Sequence, residues 1–65
     1  MNLRQYFHKK VRVVDIDDIE YIGEVAAFTY AKDNGDIGED SIAIRPAHVE
    51  LAESEIKSIE IIEDE

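Results

Sequence analysis

Residues 21–30 read YIGEVAAFTY, and this stretch decides the fold. Its composition is that of a strand, yet glycine stands near its start and the alternation breaks near its end. Ile19, Tyr21, Gly23, Val25 and Ala27 form one alternating face, with Glu20 and Glu24 on the other. Glycine inside a strand weakens it unless a bend or a close backbone approach requires it. Past Val25, continued alternation would put Phe28 on the polar face. A bulge between Val25 and Phe28 would return the ring to the core. The stretch therefore reads as one long strand, about 19 to 30, that turns a corner.

The rest of the chain fits around that bent strand. Upstream, VRVVDI (11–16) is rich in β-branched residues and reads as a first strand, with Asp17 and Asp18 as the turn. Downstream, AKDNGDIGED forms a long loop in which Asn34-Gly35 and Gly38 supply residues that tolerate positive φ. SIAI (41–44) is a third strand, stopped at Pro46, which cannot donate to a ladder. VELA (49–52) is a fourth, ESEI reads as one turn of irregular or 3₁₀ structure, and SIEII (58–62) is a fifth with Ile59 and Ile61 on one side. The tail Glu63-Asp64-Glu65 reads as frayed. At the other end, Asn2 and Gln5 suit the start of a short helix over about residues 2–9. In that helix Leu3 and Phe7 would share a face, and His8, Lys9 and Lys10 would lie at the C-terminal end. The expected fold is all-β: one domain over 1–65, a small, strongly bent five-stranded antiparallel barrel with a short N-terminal helix.

This architecture and the Gly23 pattern resemble the Sm-like family. Its first motif runs apolar, any residue, Gly, any residue, apolar, two residues, then aromatic; Tyr21, Gly23, Val25 and Phe28 fit it. The ending SEIKSIEII (54–62) is similar to the family's 3₁₀ turn leading into its last strand. The resemblance implies a homo-oligomeric ring joined through the fourth and fifth strands, and an association with RNA. It does not carry over the uridine-binding set. Thr29 follows Phe28 where RNA-binding members usually have Asp, Asn34 lies in a longer loop, and Ile56-Lys57-Ser58 stands where Arg-Gly is expected. A plain SH3-type barrel without a ring is the structural alternative.

Size and charge narrow the function. A chain of 65 residues without cysteine has no disulfide with which to support a marginal core, so oligomerisation is the expected aid. No stretch is long and apolar enough for a membrane span, and the N-terminus lacks the apolar region of a signal peptide, so a cytoplasmic protein is expected. The net charge of −9 opposes loose binding of nucleic acid. The charge is polarised, however: residues 1–14 sum to +4 and residues 15–65 to −13. Arg4, His8, Lys9, Lys10 and Arg12 therefore form the candidate site for RNA or another anion, with Tyr30 as a ring for stacking on a base. The alternative is an acidic protein-interaction module with no nucleic-acid role.

Catalytic and metal signals are weak. An EF-hand loop starting at Asp33 fails, because its third, fifth and twelfth positions hold Gly35, Ile37 and Ile44. Asp15, Asp17, Asp18 and Glu20 read as a solvated turn rather than an acid–base pair. The two histidines, His8 and His48, are not at metal-ligand spacing. No nucleophile elbow or phosphate loop is present, so no enzyme, metal or cofactor is expected.

Overall fold

A computed structural model describes residues 2–62. Five strands form one antiparallel sheet: β1 (Lys10–Asp15), β2 (Glu20–Thr29), β3 (Ser41–Arg45), β4 (Val49–Ala52) and β5 (Ile56–Ile61). Their spatial order is β4-β3-β2-β1-β5. Sequential neighbours pair except at one step, where the chain passes from β4 at one edge to β5 at the other. The sheet is not closed, since among the described residues β4 pairs only with β3 and β5 only with β1. The tail Glu63–Glu65, expected to fray, lies outside the described residues.

The corner in YIGEVAAFTY is present. Val25 pairs with Ile44 and Ala27 with Ala43, so Ala26 is the extra residue of a bulge. Tyr21, Gly23 and Val25 face inward, as their alternation requires. Beyond the bulge the parity reverses: Ala27 turns out to solvent and Phe28 turns in against the core. Ile19 precedes the strand and is exposed. Gly23 adjoins the Glu24–Arg45 pair at the end of the β2–β3 ladder. A Cβ built there would lie 2.2 Å from the Arg45 carbonyl oxygen. The glycine is therefore required by a close backbone approach.

The core comprises Leu3, Val11, Val13, Val25, Ile42, Ile44, Leu51 and Ile56. Tyr6, Tyr21, Phe28, Val49 and Ile59 pack against it, partly buried. The Cα radius of gyration is 11.0 Å, close to the roughly 11 Å expected for a chain of this length. Among the described residues every buried side-chain nitrogen or oxygen has a hydrogen-bond partner. Ser41, for example, accepts from Asn34 Nδ2 at 2.9 Å and donates to Glu50 at 3.3 Å.

Strands β1 to β3 match their expected ranges to within one residue at each end, and two elements differ more. The N-terminal helix is only a 3₁₀ turn over Leu3–Tyr6, and the described residues contain no α-helix. Eight residues are too few for a helix to be stable alone, and β2 offers the backbone an alternative. His8 takes a left-handed conformation (φ 67°), its N–H donates to Val25 O at 2.8 Å, and Val25 N–H donates to Lys9 O at 3.0 Å. The segment thus joins the sheet from His8 onward. Leu3 is fully buried, whereas Phe7 is exposed, so the two do not share a face. Second, β5 begins at Ile56 rather than residue 58, because a bulge at Lys57 shifts the register: Val14 pairs with Ser58 and Asp15 with Ile56. That shift buries Ile56 and half-buries Ile59 on one face, while Ile61 is left exposed at the edge. The third 3₁₀ turn, Glu53–Glu55, falls where ESEI was expected to place it. Glu55 reaches back to accept the Ala52 N–H at 2.9 Å, and so ties β4 to the start of β5.

Candidate functional site

The basic residues of the N-terminal segment stand on a turn and a strand lead-in, not on a helix. Leu3 anchors the turn, and Gln5 closes it by donating from Nε2 to Asn2 O at 2.9 Å. Arg4, His8, Lys9 and Lys10 are all exposed around this anchor. The His8 ring stacks on Phe7 with centroids 3.9 Å apart and planes at 28°. Its Nδ1 lies 3.8 Å from a carboxylate oxygen of Glu24.

Arg12 and Tyr30 are placed differently. Arg12 lies on the outer face of β1, directly opposite Glu60 on β5, and its Nε donates to that carboxylate at 2.8 Å. Nη1 reaches Glu20 Oε2 at 3.3 Å, and Nη2 also engages Glu60. Glu60, with Glu20, raises the guanidinium above its ordinary pKa. Arg12 is thus compensated inside the sheet's own charge pattern, whereas Arg4, His8, Lys9 and Lys10 lie exposed around the N-terminal turn. Tyr30 is 45% exposed and meets Phe28 edge-on at 4.9 Å. It stands just past the end of β2, at the start of the long loop, whereas the basic residues precede or begin β1.

The carboxylate cluster at the β1–β2 turn is a structural device. Asp15 is buried, not solvated as the sequence suggested. Its Oδ1 accepts the N–H groups of Asp17 and Ile19, both at 2.9 Å, and its Oδ2 accepts the Tyr21 hydroxyl at 3.1 Å. The Ile19 N–H above all, with the Asp17 N–H and the Tyr21 hydroxyl, holds the carboxyl below its ordinary value although burial opposes this. Burial, and then Asp15 itself, push the Tyr21 phenol upward. In the long loop, Asp40 accepts the Ala31 N–H at 2.8 Å, and Asn34 Nδ2 donates to Glu39 O at 2.6 Å. These contacts shape the loop. Among the described residues no group of three or more His, Cys, Asp or Glu side chains lies together to hold a metal ion.

One cluster was not legible in the sequence. Register places Glu24 on β2 between Lys10 on β1 and Arg45 on β3. Beside them His8, Gly23 and Pro46 complete the lining of a shallow depression. Arg45 leaves β3 into the turn to β4, where Nη1 meets His48 Nδ1 at 2.7 Å. The only available signal was an arginine before the proline that ends a strand. Nothing in the order of residues announces that Lys10, Glu24 and Arg45 become cross-strand neighbours.

Comparisons with models of protein families, with curated proteins and with solved structures find no match.

Proposed function

We propose that the chain is an Sm-like subunit of a head-to-tail homo-oligomer that holds RNA on its basic N-terminal face. The observation that carries this reading is the open sheet, whose two edges are β4 and β5. Those are the strands expected from the resemblance to join neighbouring copies. A β4 edge of one copy set against the β5 edge of the next is a heterologous contact, which closes into a ring when the rotation permits. It would also satisfy strand edges that otherwise invite uncontrolled pairing.

The side chains at those edges support the pairing. Val49 on β4 is opposite buried Ile44, and Ile59 and Ile61 on β5 are opposite buried Val13 and Val11. All three therefore face the core side. Val49 and Ile59 are only half-buried, and Ile61 is 43% exposed. A neighbouring copy would complete their burial, which suits a small domain without cysteine. Repetition of Arg4, His8, Lys9 and Lys10 around a ring would multiply a modest cluster, and avidity would offset the repulsion of an acidic chain.

The test is native mass by size-exclusion chromatography with light scattering at low and physiological ionic strength, followed by RNA retention. A closed assembly of several copies that retains RNA, and loses it in Lys9→Glu/Lys10→Glu, is the expected result. A clean monomer would overturn the ring and its multiplied face. An assembly indifferent to RNA at low salt would favour an acidic protein-interaction module, in keeping with the charge of −13 on residues 15–65.

A further inference from the structure

We propose that the depression above Gly23 binds a nucleoside 5′-monophosphate unit, its phosphate held by Arg45 and Lys10 and its base on the Phe7–His8 stack. The site lies within one copy of the chain, so it does not depend on ring formation.

The argument begins with the arginine. A guanidinium can only donate, so in the 2.7 Å contact the His48 Nδ1 must accept. This contact fixes one nitrogen of the Arg45 fork and leaves further N–H groups to face a ligand. A fixed arginine fork is suited to a phosphate, whose oxygens match its spacing.

The second part is the charge pattern. Glu24 lies between Lys10 and Arg45 in the cross-strand register, with His8 Nδ1 3.8 Å from its carboxylate. Adjacent strands are about 4.8 Å apart, so the cations lie about 10 Å apart by their backbones. The register thus sets a carboxylate between the two cations. A ligand phosphate competes with it, and removing its charge must strengthen binding.

The third part is shape. The depression has a volume of about 440 Å³, within the roughly 300–1,000 Å³ of small-molecule sites. That is more room than a bare ion needs. At one side His8 stacks on Phe7, whose ring is 39% exposed. An aromatic pair open to solvent beside a cationic depression is a platform for a base.

The test is a titration of the uniformly ¹⁵N-labelled chain followed by amide chemical shifts. Adenosine 5′-monophosphate is expected to shift the amides of His8, Gly23, Glu24 and Arg45 saturably, and adenosine without the phosphate to bind at least about tenfold more weakly. Arg45→Gln is expected to weaken the nucleotide about tenfold, Arg45→Lys less, and Glu24→Gln to tighten it several-fold. The same spectra report whether each variant is folded. A free nucleotide and the end of an RNA share this chemistry, and a 5′-phosphorylated oligoribonucleotide separates them. If it moves the same amides at lower concentration than the nucleotide, the site belongs to an RNA end; if at higher concentration, to a free nucleotide. No saturable shift, equal binding of adenosine, or unchanged binding in Glu24→Gln would each overturn the proposal. A monomeric chain that binds the nucleotide would remove the ring and keep this site.

Discussion

Replacing Gly23 with alanine is the sharpest test of how the bent strand is built. Glycine to alanine inside a strand ordinarily stabilises, by about 0.5–1 kcal/mol, because the unfolded chain loses freedom. Here the new Cβ would stand 2.2 Å from the Arg45 oxygen, 3.0 Å from the Arg45 carbonyl carbon and 3.0 Å from Ile44 Cγ2. Comfortable contact begins near about 3.5 Å, so β2 and β3 must part locally by about 1 Å. Two of the three obstructing atoms are backbone, which cannot swing aside as a side chain could. The Glu24–Arg45 pair adjoins this point and ends the ladder. Losing one or two of its hydrogen bonds costs about 1 kcal/mol each, and overpacking adds about 1–3 kcal/mol. The expected loss is about 3 kcal/mol, against about 3–10 kcal/mol for the whole domain. In thermal unfolding that is a fall in Tm of about 12–24 °C. Gly38→Ala serves as the contrast. Its φ is 68° with no atom near the added Cβ, so it should cost only about 1–2 kcal/mol. A Gly23→Ala variant as stable as the parent would refute the close-approach argument.

Three further outcomes follow from the same geometry. Asp15 has a lowered pKa, so its ionised form contributes stability in full above the ordinary aspartate value of 3.8 and loses it as pH falls through the lowered value. Urea titrations of the parent and Asp15→Asn should therefore differ most near neutrality and converge in strong acid, and a pH-independent gap would contradict this. Leu3 is fully buried beneath the N-terminal turn, and Leu3→Ala should cost about 2–5 kcal/mol by chemical denaturation; a loss near zero would mean that the turn does not anchor the core. Deleting Ala26 removes only the bulged residue and preserves the Val25–Ile44, Ala27–Ala43 and Phe28–Ile42 pairs, so the variant should keep a dispersed amide spectrum. Deleting Ile22 instead shifts Glu20 and Tyr21 to opposite faces and should abolish that spectrum; equal tolerance of both deletions would refute the register.

Local chemistry was legible wherever a residue's role depends on its chain neighbours. The reversal at Ala26 followed from alternation that would otherwise expose Phe28. Pro46 ended a strand because proline lacks an N–H, and of the irregular or 3₁₀ turn expected at ESEI the structure forms a 3₁₀ turn over Glu53–Glu55. The helix over residues 2–9 was over-read, because Asn2 and Gln5 suit a 3₁₀ turn as well as a helix. The choice was made by the Val25 backbone, 17 residues from His8 in the chain.

What the sequence by itself determined is the alternation of apolar faces, the turn chemistry and the polarity of charge, all properties of adjacent residues. What only the tertiary structure decided is which charges meet. Arg12 looked available until β5 brought Glu60 from 48 residues away. Asp15 looked solvated until its turn folded over it. Lys10, Glu24 and Arg45 became a row only through the pairing of three strands. The physical reason is range: propensity and periodicity act over a few residues, whereas electrostatic compensation acts through space between strands far apart in the chain.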